Sequence, residues 1–99
     1  MIHGFLKACT VSPALRVADC AFNTQQTIAA MQRAAADGVQ LAVFPELGLT
    51  GYTCGDLFFQ QSLQRAAAKG LAAVLEASAG LDLVALVGLP VAVDGKLYN

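Results

Sequence analysis

Glu46 stands where a short apolar run, Leu41-Ala42-Val43-Phe44-Pro45, gives way to a glycine-punctuated stretch, Leu47-Gly48-Leu49-Thr50-Gly51-Tyr52-Thr53-Cys54-Gly55-Asp56-Leu57-Phe58-Phe59. A carboxylate at a strand end suits a general base. The strand fixes the backbone, and the loop that follows shapes a pocket around the acid. Phe44, Pro45 and Leu47 are apolar, which predicts partial desolvation of the carboxylate, the condition under which a carboxylate takes protons near neutral pH. A solvated strand-end carboxylate is the commoner case, and spacing alone does not decide between the two.

Other residues compete for chemical roles. Cys54 shares the loop with Glu46, but no basic partner lies near it in sequence and the chain has one histidine, His3. A small packed thiol is the better account of Cys54, and Cys9 and Cys20 fall where core residues belong. Tyr52 can line a pocket and donate a hydrogen bond, or pack over the loop; the residues leave both open. Gly48, Gly51 and Gly55 match neither G-x-G-x-x-G nor a Walker sequence, and read as loop glycines with positive φ. Asp94-Gly95 is turn chemistry, and His3 is a structural or solvated residue near the terminus.

Composition narrows the classes. The 99 residues are 57% hydrophobic and 13% charged with a net charge of −1, and mean hydropathy is +0.59 with a pI near 5.6. Ordinary domains carry roughly 25% charge, and a body this small buries only about two-thirds of its unfolded surface. The chain therefore reads as part of a larger α/β body. Its longest uncharged apolar run, 83–93, falls short of the ~20 residues of a membrane span. Lys7 and Arg16 break up the N-terminal stretch, so no signal peptide is expected and the location reads as cytoplasmic. No basic cluster points to nucleic acid or an anionic membrane. Three cysteines without a Cys-x-x-Cys predict neither a disulfide framework nor a zinc site.

The elements that position these residues follow from periodicity. Residues 4–11 predict a strand that stops at Ser12-Pro13. Asp19 is an N-cap for a helix over 19–36, with Cys20, Thr24, Ile28, Met31 and Ala35 on one stripe and Gly38 just past its end. Residues 41–44 and 83–88 predict strands buried on both faces, as in a parallel sheet. The loop 45–60 holds a helical turn near 56–59. A second helix over 62–77 presents Leu63, Ala67, Leu71 and Val74, and Gly80 ends it. Val91-Ala92-Val93-Asp94-Gly95-Lys96-Leu97-Tyr98 predicts a β-hairpin on a two-residue turn. Its return strand is shorter than the usual ~5–6 residues, so the chain is expected to end inside the hairpin. Right-handed crossovers place both helices on one face of the sheet.

The Phe44-Pro45-Glu46 core followed by Gly51-Tyr52 resembles the glutamate segment of the nitrilase, or carbon-nitrogen hydrolase, superfamily. The continuation Thr53-Cys54-Gly55-Asp56-Leu57-Phe58 is most similar to the glutaminase domain of glutamine-dependent NAD synthetases. The likeness runs along nearly the whole chain but is specific only at 41–59, with weaker support at Gly88-Leu89-Pro90 and 94–99. It implies a nitrilase-like α-β-β-α sandwich, of which residues 1–99 would supply the strand-helix-strand-helix-strand-hairpin portion of one domain. It implies that Glu46 is the general base of a Glu-Lys-Cys triad and that Tyr52 stands in the active-site wall near the substrate. It assigns no cofactor or metal to this segment.

In such a protein the triad hydrolyses glutamine through a cysteine acyl-enzyme. A C-terminal domain uses ATP and Mg²⁺ to activate deamido-NAD for attack by the released ammonia, and the full-length protein is usually a homo-oligomer. The family's lysine and cysteine lie beyond the hairpin, and neither Lys69 nor Lys96 matches the lysine motif. The chain alone is therefore expected to lack amidase activity and, with an open sheet edge, to be poorly soluble. Two alternatives stay open: a fragment of a stand-alone hydrolase of another small amide or nitrile, and a non-catalytic α/β fragment.

Overall fold

The computed structural model describes residues 4–99, so His3 lies outside the described residues. Asp19 caps the first helix, its Oδ1 accepting the Phe22 N–H at 3.0 Å. This satisfies one of the donors that a helix start leaves unpaired. The helix, α1, runs Cys20–Ala36. It ends with Gly38 at φ +78°, the Gly38 N–H on Ala35 O and the Val39 N–H on Ala34 O. That paired closure is the left-handed glycine stop expected at Gly38.

Three short strands, β1 (Ala8–Thr10), β2 (Leu41–Val43) and β3 (Val84–Leu86), form a parallel sheet in the order β1-β2-β3. The expected strands over 4–11 and 83–88 are thus each trimmed to three residues. Register aligns Cys9, Ala42 and Ala85 in one row across the sheet. These small side chains face the helices, which explains how α1 and a second helix, α2 (Gln61–Ser78), lie on the same face and pack on each other. Met31, fully buried, and Ala30 and Ala34 from α1 meet Val74 of α2 over Ala42, Phe44 and Leu49.

The helical stripes differ from expectation in an instructive way. In α1 the buried face is Cys20, Asn23, Thr24, Thr27, Ala30, Met31 and Ala34, so Cys20, Thr24 and Met31 turn inward as expected, two further polar residues, Asn23 and Thr27, join them, and Ile28 and Ala35 are only half-buried. In α2 the buried set is Leu63, Ala67, Gly70 and Val74, and Leu71 is largely turned out. Gly70 takes the inward place because the helices approach closely there: a Cβ on Gly70 would lie 2.4 Å from Thr24 Oγ1.

The strands expected to be buried on both faces are covered on one. The opposite face carries Ala8, Leu41 and Val84 in one row and Thr10, Val43 and Leu86 in the next. Val84 is 59% and Leu86 53% exposed, because both helices occupy the other side, while Leu41 and Val43 of the central strand are half-buried.

The hairpin forms a separate two-stranded sheet, β4 (Val91–Val93) with β5 (Lys96–Tyr98). Asp94 and Gly95 both take positive φ, 51° and 76°, as a two-residue turn of this kind requires.

Candidate active site

Glu46 follows β2, the central strand, at its carboxyl end. In open α/β sheets this is the edge along which ligands bind. The Phe44 N–H still bonds Leu86 O at 2.9 Å. Pro45 has no N–H to give, so the ladder stops there and the chain turns away. Leu47 sits at φ 52°, a left-handed conformation that costs a non-glycine residue of order 1–3 kcal/mol and that surrounding structure must hold in place.

What holds it is a set of backbone bonds. Gly48 N–H donates to Pro45 O at 3.1 Å, Gly51 N–H to Leu47 O at 2.8 Å, and Leu49 N–H to Gly88 O at 3.1 Å. Gly88, just past β3, lies directly against the loop: a Cβ there would come within 2.5 Å of Leu47 N and 2.9 Å of Pro45 O. Of the three loop glycines expected to need positive φ, Gly51 and Gly55 have it and Gly48 does not. Gly48 instead keeps clear of Pro45 O, which a Cβ would meet at 3.1 Å.

The Glu46 side chain is exposed, in contrast to the expected partial desolvation. Phe44 is buried in the core and Pro45 half-buried, so these apolar neighbours pack inward and do not cover the carboxylate. Its partner is Asn99, whose Nδ2 donates to Glu46 Oε1. Beside this pair lies a cavity of about 230 Å³. Leu47, Phe58 and Phe59 wall it from the loop side, and Pro90, Leu97, Tyr98 and Asn99 from the hairpin side. Tyr52 is 76% exposed and is not among those walls. Larger hollows of about 420 Å³ and 550 Å³ lie by α2 and at the amino ends of the strands. None of the three is lined by Glu46, so the strand-end carboxylate, and not the size of a cavity, makes this the candidate site.

Cys54 is buried, and its thiol donates to Thr50 O at 3.2 Å and Gly51 O at 3.4 Å. It closes the loop from inside, as a packed thiol. Burial pushes the neighbouring Cys20 thiol above its ordinary pKa, with Cys54 and then Asp19 adding to the effect. A protonated, enclosed thiol is a poor nucleophile. Lys69 is exposed on α2 and Lys96 opens β5.

Among the described residues no three His, Cys, Asp or Glu side chains gather as a metal site, and no helix is long and apolar enough to cross a membrane. The residue that sequence reading missed is Asn23. It is fully buried and hydrogen-bonded to the backbone of Arg16, before α1, and of Leu49, in the Glu46 loop. Its place on the inward face of α1, in line with Thr27, Ala30 and Ala34, is the signal that marks it.

The sequence profile of the carbon-nitrogen hydrolase family matches residues 7–99. The glutamine-dependent NAD(+) synthetase of Mycobacterium tuberculosis is 34% identical over 97 residues, and that of Mycobacterium leprae 30%. Both alignments take in 98% of this chain and 14% of the relative, so the chain spans about a seventh of the proteins it matches. The crystal structure of the Cytophaga hutchinsonii glutamine-dependent NAD(+) synthetase superposes with a TM-score of 0.87 at 24% identity, over 95% of this chain and 16% of that one. The Acinetobacter baumannii enzyme, in complex with ADP, gives 0.75 at 28% identity over 84% and 15%. The nitrilase-like α/β fold expected for this portion is thus the fold observed, and the chain belongs to the carbon-nitrogen hydrolase family.

Proposed function

We propose that residues 1–99 are the N-terminal part of a glutaminase domain, that this domain belongs to a longer NAD synthetase, and that Glu46 is its general base. The observation that carries this reading is the placement of Glu46. It follows the central parallel strand, in a loop pinned by Gly88 and Leu47, beside a cavity, in a chain that aligns along almost its whole length with glutamine-dependent NAD(+) synthetases.

In the proposed reaction Glu46 takes the proton of a cysteine thiol supplied from outside these residues. The thiolate attacks the glutamine side-chain carbonyl. A lysine, also from outside, balances the charge that develops on oxygen. Glu46 then returns its proton to the leaving ammonia, and afterwards deprotonates the water that cleaves the thioester to give glutamate. Asn99 steadies the carboxylate throughout. Tyr52 would border the substrate from the exposed side of the loop.

Ammonia so released would serve ATP-dependent amidation of deamido-NAD in another domain. The residues described here offer no metal site for the Mg²⁺ of that step, which belongs to the proposed synthetase domain. The protein is proposed to be cytoplasmic and homo-oligomeric. The 99-residue chain alone supplies the base without the nucleophile and is proposed to be inactive.

The test is Glu46→Gln in the full-length protein, with NAD formation followed from glutamine and, separately, from ammonium. The expected result is loss of the glutamine-driven reaction with the ammonium-driven one retained. Glutamine turnover at the parental rate would remove Glu46 from the mechanism.

A further inference from the structure

We infer that Asn23 is a positioning residue for the base, fixing the loop that carries Glu46 through a buried amide clamp. The inference rests on the reading of Glu46 given above. Asn23 lies one turn into α1, and its side chain is fully buried. Its Oδ1 accepts the Arg16 N–H at 2.8 Å. Its Nδ2 donates to Arg16 O at 2.8 Å and to Leu49 O at 3.1 Å. Both amide hydrogens and one acceptor site are therefore committed to backbone, from two different loops.

This arrangement does more than satisfy a core polar group. Leu49 is three residues past Glu46 and is itself 1% exposed. Its N–H is held by Gly88 O and its carbonyl by Asn23, so the peptide groups on the two sides of Leu49 are tied to β3's end and to α1. The adjoining carbonyl, Thr50 O, receives the Ala18 N–H at 2.8 Å, so the 16–18 segment that Asn23 holds also grips the Glu46 loop directly. Backbone bonds fix height and direction together, and Leu47 at φ 52° then has no easy way to relax. A side chain that only filled space would leave the loop free to slide along the sheet edge.

Chemistry separates the amide from its isostere. In Asn23→Asp the shape is kept and the Arg16 N–H still finds an acceptor. The second oxygen, however, now faces both Arg16 O and Leu49 O: ionised it repels both, and protonated it has one hydrogen for the two carbonyls. The loop is pushed off its seat while the rest of α1 has no new clash to absorb.

The test uses the full-length enzyme, with Glu46→Gln as reference and ammonium as alternative nitrogen source. Asn23→Asp is expected to lower glutamine-driven kcat by up to about 100-fold, the scale for a catalytic group misplaced by about an ångström. KM for glutamine should change little and the ammonium-driven rate should be retained. A glutamine-driven kcat at the parental level overturns the inference, as does a rise in KM with kcat unchanged.

If Asn23→Asp loses the ammonium-driven rate as well, Asn23→Ser, which keeps a hydroxyl and leaves room for water, is measured in the same way. A loss shared by both variants and both nitrogen sources overturns the inference, since Asn23 would then support the whole domain and not one loop. Failure of Glu46→Gln to abolish glutamine use would instead condemn the underlying reading, and the two failures are distinct.

Discussion

Gly88→Ala isolates the contact that seats the Glu46 loop. Gly88 does not use a left-handed φ, so its backbone conformation accepts alanine and the whole effect of the substitution is steric. The new Cβ would meet Leu47 N at 2.5 Å, Pro45 O at 2.9 Å and Glu46 C at 3.2 Å. Ordinary contact begins at 3.4 Å, so the closest of these is too short by about 0.9 Å. All three atoms are backbone, and none can swing aside as a flexible side chain would. Either the 45–47 segment lifts by close to an ångström, or β3's end retreats and stretches the Leu49 N–H to Gly88 O bond, now 3.1 Å.

Overpacking of this kind costs about 1–3 kcal/mol of stability. The larger consequence is geometric. A catalytic group misplaced by about 1 Å costs on the order of 100-fold in rate, far more than the loss of folded population in a protein several kcal/mol stable. The assay is glutamine-dependent NAD formation by the full-length enzyme, beside the ammonium-dependent rate and a thermal melt. The expected outcome is a glutamine-driven kcat down by about two orders of magnitude, an intact ammonium-driven rate, and a modest fall in melting temperature. A variant that melts lower but turns over glutamine at the parental rate would refute the reasoning, since it would show the Glu46 loop indifferent to its seat.

Two further outcomes follow from the core. Gly70→Ala gains helix propensity worth about 0.8–1.0 kcal/mol but puts a Cβ 2.4 Å from Thr24 Oγ1, a clash costing about 1–3 kcal/mol. Net destabilisation is expected in a urea titration, and Thr24→Ala should recover it, because it removes the clashing hydroxyl, itself buried without a hydrogen-bond partner. A double variant no better than Gly70→Ala would contradict this packing.

The Cys20 thiol is raised above its ordinary value of 9.0, by burial first. The folded chain therefore holds that proton to higher pH than the unfolded chain does. The stability linked to it is fully present below the ordinary value and is lost as pH rises through the raised one. Melting temperature should fall on the alkaline side of pH 9, and Cys20→Ala should flatten that part of the decline. Parallel pH curves for the two proteins would show the thiol to be unlinked.

Much of the frame was legible because it depends on local signals. Asp19, Gly38 and Asp94-Gly95 each announce a cap or turn by residue type, and all three serve as expected. The apolar runs at 41–44 and 83–88 mark strands correctly, though each shrinks to three paired residues. The Glu46 loop was legible as a candidate site through the resemblance carried by Phe44-Pro45-Glu46 and Gly51-Tyr52, since a strand-end carboxylate by itself is more often simply solvated.

Three features were hidden, and each depends on a neighbour distant in sequence. Asn23 reads as a polar residue on a helix until Leu49 and Arg16 are beside it. Gly70 reads as a weak point in α2 until Thr24 is opposite. Gly88 reads as a strand end until Leu47 lies across it. Apolar periodicity selects Leu71 and Ile28 for the inward faces. Close backbone approach selects Gly70 and Asn23 instead, because the small or hydrogen-bonding residue is the one that lets elements touch.

The exposure of Glu46 bears on what these residues can do by themselves. A carboxylate acts as a base near neutral pH when water is kept from it and its charge is held in low dielectric. Here it has one amide donor, Asn99, and open solvent on its other side. The cavity next to it, about 230 Å³, is smaller than the ~300–1,000 Å³ of ordinary ligand pockets. Its walls are nearly all apolar, with no cation to meet a developing oxyanion. The second face of the sheet, with Val84 and Leu86 bare, is open in the same way. Residues 4–99 thus place the Glu46 carboxylate, through Gly88, Leu47 and the Asn23 clamp, without drying it, and the proposed role as a base requires both. Placement takes a strained φ at Leu47 and the fully buried amide of Asn23. In the proposed glutaminase that position is used once further walls, a thiol and a cation from outside these residues close over it.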